Sequence, residues 1–243
     1  MDERADGVNI FSEAITWLND PLNWTNPDGV FDLLIQHLLL SGGALLLALI
    51  VAWPLGVWLG ATGRGGTTTV VVSNMTRAVP TMALLSLLPL TALGFGPQSV
   101  VPALALFAVP PLLATAYTGL REVDPDARDA AHGMGFSRAG MLFKVEIPLA
   151  VPQLASGFRT AAVQIVATTT LAALFNGGGL GLIISRGFGL GLAKGGGEIL
   201  AGGILVAGLA LLVEGLLALA EKYVTPVALR DLARSKVRVP MSV

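Results

Sequence analysis

Long apolar runs, separated by clusters of charge, dominate the pattern of this chain. No charged residue occurs from position 34 to position 61, and none lies between Arg77 and Arg121. Residues 147–175 carry only Arg159, and residues 199–220 only Glu214. Crossing a bilayer core takes about 20 apolar residues, so each run is long enough to span. The second run is long enough for two spans, divided at Gly94-Phe95-Gly96-Pro97, a turn by composition. The pattern predicts an all-α integral membrane protein with about five transmembrane helices, near 34–61, 70–93, 98–120, 148–175 and 198–222.

The basic residues orient those helices. One side of the bilayer receives Arg64, Arg77, Arg121, Arg128, Arg138, Lys144, Lys222, Arg230, Arg234, Lys236 and Arg238, and the other only Arg4, Arg186 and Lys194. Lys and Arg concentrate on cytoplasmic loops, which predicts a cytoplasmic C-terminus and, for an odd number of spans, an N-terminus outside. Residues 1–33 are then an extracytoplasmic tail, 34–222 the transmembrane domain and 223–243 a cytoplasmic tail. The start Met1-Asp2-Glu3 lacks the basic region of a cleavable signal peptide. Within the tail, Ile10, Phe11, Ile15, Trp17, Leu18, Leu22 and Trp24 alternate with polar residues. That pattern predicts one short amphipathic helix over 10–24, lying at the outer interface.

Composition narrows the class further. Of 243 residues, 53% are hydrophobic and 13% charged, about half the roughly 25% charge of soluble domains; mean hydropathy is +0.74. Lys and Arg total 15 against 16 Asp and Glu, a net charge of -1, which excludes a basic nucleic-acid binder. With no cysteine, a disulfide framework and a thiol nucleophile are excluded as well.

The cytoplasmic loop 121–147 holds more than a connection requires. Asp124 followed by Pro125 reads as a helix start, with Asp as N-cap and Pro at the first helical position. Ala127, Ala130, Ala131 and Met134 share one face of that helix, Gly135 stops it, and Ser137 caps a second helix through Phe143. Two short helices joined at a glycine give either a small-residue surface for a partner or a solvated interfacial hairpin.

Asp129-Ala130-Ala131, Gly135 six positions after the Asp, and Val145-Glu146-Ile147-Pro148 resemble the EAA loop of ABC importer permeases. The family usually opens this motif with Glu; Asp129 keeps the charge on a shorter side chain. Further stretches are similar to the subgroup that imports glycine betaine, choline and related osmoprotectants. They include Arg77-Ala78-Val79-Pro80-Thr81, Tyr117-Thr118-Gly119-Leu120, Gly157-Phe158-Arg159-Thr160-Ala161 and Gly177-Gly178-Gly179-Leu180-Gly181, within roughly 34–222.

The resemblance implies a type I ABC importer permease (MetI-like) fold in the bacterial cytoplasmic membrane, with Asp129, Ala130, Ala131, Gly135, Val145, Ile147 and Pro148 coupling it to an ATPase. It implies as partners an ATP-binding cassette ATPase dimer, a second permease subunit of the same or a paralogous kind, and an extracytoplasmic substrate-binding protein. The solutes implied are glycine betaine, choline, carnitine or similar quaternary amines; a permease for amino acids such as methionine is the alternative. ATP and Mg would belong to the partner ATPase. On this chain, Gly63-Arg64-Gly65-Gly66 and Gly177-Gly178-Gly179 lack the Lys-Ser/Thr that a phosphate loop needs, so no cofactor is expected. A stand-alone secondary transporter needs coupling carboxylates near the midplane, and only Glu214 offers one. His37 and His132 belong to no ligand cluster, so neither a catalytic nor a metal site is expected.

Two features inside the spans remain. Thr160, Gln164 and Thr168 recur every four residues and so share a helix face, which either bonds another helix or lines the solute pathway. Arg159 and Glu214 are intramembrane charges, which are expensive without a partner or an aqueous cavity. At about 1.5 Å per residue, both lie roughly 12–17 Å from the cytoplasmic end. They are expected to pair as a gate or to line the pathway together.

Overall fold

A computed structural model describes residues 10–65 and 80–225, and all regular structure among them is helical. The helices are α1 (Ile10–Asn19), α2 (Pro21–Thr25), α3 (Val30–Thr62), α4 (Thr81–Leu87), α5 (Pro97–Arg121), α6 (Pro125–Gly133), α7 (Arg138–Met141), α8 (Ile147–Thr169), α9 (Gly181–Leu190) and α10 (Leu192–Val224). Tight 3-10 turns, Leu88–Leu90 and Thr170–Phe175, follow α4 and α8, and a π turn, Leu142–Glu146, joins α7 to α8. Among the described residues four stretches are long and apolar enough to cross a membrane: Pro21–Thr62, Pro97–Arg121, Arg138–Phe175 and Leu192–Val224.

These four coincide with four of the five expected spans. The span expected near 70–93 lies partly outside the described residues; within them it is α4 and the 3-10 turn that contains Pro89. Helix α9 was not foreseen, and α10 begins at Leu192 rather than near 198. Glycine disfavours helix interiors, yet Gly195, Gly196 and Gly197 are buried inside α10. Packing decides the matter: a methyl on Gly197 would come within 2.5 Å of Glu13 Cβ. The close contact with α1 thus selects glycine where propensity argues against it.

The tail also departs from expectation. Instead of one amphipathic helix over 10–24, the chain breaks at Asp20, whose Oδ1 accepts the Leu22 N–H at 2.9 Å, with Pro21 opening α2. An Asp-Pro pair starts a helix more readily than it continues one. Trp17 and Trp24 pack inward, while Phe11, Ile15 and Leu22 stay exposed. Helix α3 starts at Val30, with Asp32 in its first turn, where the helix dipole favours a carboxylate.

By its contacts the chain divides into two compact units. The first comprises Met1–Leu47, Val79–Ala108 and Ala162–Val213; the second comprises Ala48–Ala78, Val109–Ala161 and Glu214–Val243. In the first, Val30, Leu33, Val166, Leu180, Ile183 and Leu209 form a buried cluster. In the second, the cluster is Ala116, Leu120, Val123, Ala150 and Leu154, with Trp53 and Val57 packed against it. There α3 meets α5 through glycine: a methyl on Gly56 would lie 2.6 Å from Ala116 Cβ, and one on Gly60 2.9 Å from Leu120 Cβ. Such small-residue contacts let membrane helices approach closely where the hydrophobic effect offers no drive. Ile35, Leu39, Leu46 and Ile50 of α3 point outward, the satisfied state for apolar side chains in lipid.

Candidate functional site

The loop 121–147 belongs wholly to the second unit. Asp124 caps α6, its Oδ1 accepting the Asp126 N–H at 2.9 Å, and Pro125 occupies the first turn. At the other end Gly135 adopts φ +80. The Gly135 N–H donates to the His132 carbonyl at 3.0 Å and the Phe136 N–H to the Ala131 carbonyl at 3.2 Å. These two bonds form a Schellman cap, which needs a left-handed residue and so favours glycine. Ser137 Oγ then accepts the Gly140 N–H at 3.1 Å and starts α7. Here the second helix expected through Phe143 is instead four residues of α7 followed by the π turn, continuous with α8.

Burial is graded across the face of α6. Ala131 is 1% exposed and Ala127 half-buried, whereas Asp129, Ala130 and Gly133 are exposed and Met134 is 70% exposed. The Asp129 carboxylate bonds to no other described residue. The outward edge of α6 is thus a small-residue surface with a free carboxylate. Val145, Ile147 and Pro148 are half-buried where the π turn passes into α8.

Arg128 is a residue that sequence reasoning used only for topology. It faces inward from α6: Nη2 donates to the Leu120 carbonyl, and Nε lies 2.8 Å from Glu146 Oε1. The Glu146 side chain is only 7% exposed. A groove of about 1160 Å³ opens beside this pair, between Trp53, Trp58 and Phe143.

Arg159 and Glu214 lie together in the structure, with Arg159 Nη1 donating to Glu214 Oε1 at 2.8 Å. Arg159 Nε also lies 3.1 Å from Glu221 Oε2, so one guanidinium joins α8 to two carboxylates of α10. The separation of Glu214 and Glu221, two helical turns on one face, was the available signal for the third member. On α8, Thr160 and Gln164 are exposed and Thr168 is half-buried. The threonine hydroxyls donate back to Ser156 and Gln164 carbonyls at 3.0 and 2.7 Å. No described residue of another helix bonds to these three side chains.

The first unit is fastened differently. His37 is wholly buried; Nε2 meets the Val166 carbonyl at 2.8 Å and Nδ1 accepts the Leu180 N–H at 3.2 Å. A carbonyl on one nitrogen and a donor on the other define the neutral, Nε2-protonated tautomer. Gln36 Oε1 accepts the Gly179 N–H at 3.2 Å. Gly178 and Gly179, at φ +81 and +80, bring the backbone to these two side chains. A cavity of about 550 Å³ lies beside Gln36, Asn176 and Gly178.

Apolar helices long enough to span a bilayer, with a capped polar helix between two of them in the chain, define a helical membrane protein. Residues 44–225 match the family described as binding-protein-dependent transport system inner membrane component, and the chain belongs to that family. Among curated relatives, the choline transport system permease protein OpuBB of Bacillus subtilis is 34% identical over 198 residues, 81% of this chain and 89% of that one. The carnitine transport permease protein OpuCD of Listeria monocytogenes is 33% identical over 203 residues, 84% and 90% respectively. The inward-facing MetNI methionine ABC transporter shares the fold, with a TM-score of 0.73 over 85% of this chain and 99% of that one, at 20% identity. The protein is therefore an inner-membrane permease subunit with the MetI-like fold.

Proposed function

We propose that this permease imports compatible solutes of the quaternary-amine class, glycine betaine, choline or carnitine, driven by ATP hydrolysed on a separate ATPase dimer that carries ATP and Mg. A second permease subunit and an extracytoplasmic binding protein complete the transporter. The observation that carries the reading is the loop 121–147: a capped helix with an exposed Asp129-Ala130 edge and a left-handed Gly135 at its end. Small side chains let a partner surface approach closely, and the Asp129 carboxylate offers it a charge.

The solute class is supported by relatives named for choline, carnitine and glycine betaine. Likeness to the methionine transporter is at 20% identity and bears on fold alone. The stripe Thr160, Gln164 and Thr168, exposed at its first two members, suits a pathway for a zwitterion, because neutral polar groups pass such a solute on without trapping it. Alternating access follows if the loop contacts the two states of the ATPase dimer differently, with Arg159 and Glu214 as an inner gate.

The test is uptake by proteoliposomes containing this chain, its ATPase, a second permease and the binding protein. ATP-dependent accumulation of labelled glycine betaine, choline or carnitine is expected, with no accumulation of methionine. Uptake that proceeds without ATP, or that favours methionine, overturns the reading.

A further inference from the structure

We infer that Arg128 and Glu146 form the clamp through which α6 moves the spanning helices, making both positioning residues for coupling; this rests on the function proposed above. The covalent connections of α6 are short hydrogen-bonded turns on both sides. On one side the chain leaves through Gly135, at φ +80 with nothing within 4 Å of where its Cβ would be. The cap there is held by backbone hydrogen bonds to His132 and Ala131 of α6 itself and ties α6 to no spanning helix.

Arg128 bypasses that turn. Its Nη2 donates to the Leu120 carbonyl in the last turn of α5, and its Nε lies at ion-pair distance, 2.8 Å, though not in hydrogen-bond geometry, from Glu146, the residue immediately before α8. One side chain thus ties α6 to two spanning helices, and α8 carries Arg159, Thr160 and Gln164. The π turn aims the carboxylate. A π turn accommodates one residue more than an α turn, and one residue is about 100° of rotation at 3.6 residues per turn. Glu146 is thereby turned inward to Arg128, while Phe143 and Lys144 of the same turn remain exposed. With its side chain only 7% exposed, the Glu146 carboxylate is poorly screened from the Arg128 charge.

The complete transporter in proteoliposomes provides the test, with ATP hydrolysis and solute uptake measured on the same vesicles. Glu146→Gln keeps the side chain's size and removes its charge. Hydrolysis is expected to stay within about twofold of wild type while uptake falls roughly tenfold, in the range of ordinary coupling energies. The exchanged pair Arg128→Glu/Glu146→Arg is expected to recover uptake to within about threefold, as a directly interacting pair should.

The natural sequence has no cysteine, so Arg128→Cys/Glu146→Cys bridged by a short cleavable thiol reagent supplies a second route. Uptake is expected to return on bridging and to disappear on cleavage. Full uptake per ATP in Glu146→Gln overturns the clamp. So does an equal fall of hydrolysis and uptake, the mark of a merely structural pair, or a bridge that restores nothing. Wild-type vesicles that assemble with the ATPase yet show no ATP-driven uptake overturn the functional reading itself, and the clamp with it.

Discussion

The two units of this permease fasten their helices with different chemistry. In the first, the internal ties are neutral: His37 to Val166 and Leu180, and Gln36 to Gly179. Among the described residues its ion pair, Arg186 with Asp28 at 3.6 Å, is exposed on both sides. In the second, arginine holds the helices, through Arg128 with Glu146 and Arg159 with Glu214 and Glu221. The difference teaches that arginines of the second unit do more than orient the chain in the bilayer. Two of them turn inward and tie helices together, which a count of basic residues per side does not reveal.

The sharpest way to break this contrast is to remove a buried charge's partner. Arg128→Met leaves the Glu146 carboxylate buried and uncompensated, with an expected loss of roughly 3–5 kcal/mol. A lowered Tm of the purified complex reads that loss, and Arg128→Met/Glu146→Leu should recover most of it. His37→Ala is next, with about 2–4 kcal/mol expected from lost volume and unsatisfied backbone groups. Because its ties are neutral, that loss should not respond to salt.

Arg159 sharpens the contrast further. Glu214→Gln leaves Glu221 in place beside the Arg159 guanidinium, so its cost in Tm should be smaller than that of Arg128→Met. Glu214→Gln/Glu221→Gln should cost more than the two single changes together. In uptake, Arg159→Glu/Glu214→Arg should recover transport better than either single change; a swap no better than the singles contradicts direct pairing. The smallest effect is expected from Arg186→Gln, within about 0.5 kcal/mol, measured by the same melting experiment.

How far these features were legible in the sequence depends on the range of the interaction. Caps are local, so Asp124-Pro125, Gly135 and Ser137 could be read from neighbouring residues, as could the four long apolar runs. The pairing of Arg159 with Glu214 was accessible because charges are rare in a span and call for partners. Glu146 was hidden, because regular helical counting does not foresee the π turn that rotates it. Glu221 falls just past the apolar run 199–220, where a charge calls for no partner. The ties of His37 join backbone groups 129 and 143 positions away, and backbone groups carry no sequence signal. Helix α9 was missed because Gly187 and Gly189 suggest a loop, whereas Gly187 is buried where α10 approaches too closely for a side chain.

The most direct test of coupling through the loop is Gly135→Val in the reconstituted transporter, with ATP hydrolysis and glycine betaine uptake recorded together. A β-branched residue resists the left-handed conformation that closes α6, while the open space around Gly135 limits the damage to that turn. The expected result is sustained ATP hydrolysis with uptake largely lost. Unchanged uptake would contradict the assignment of residues 121–147 as the coupling element.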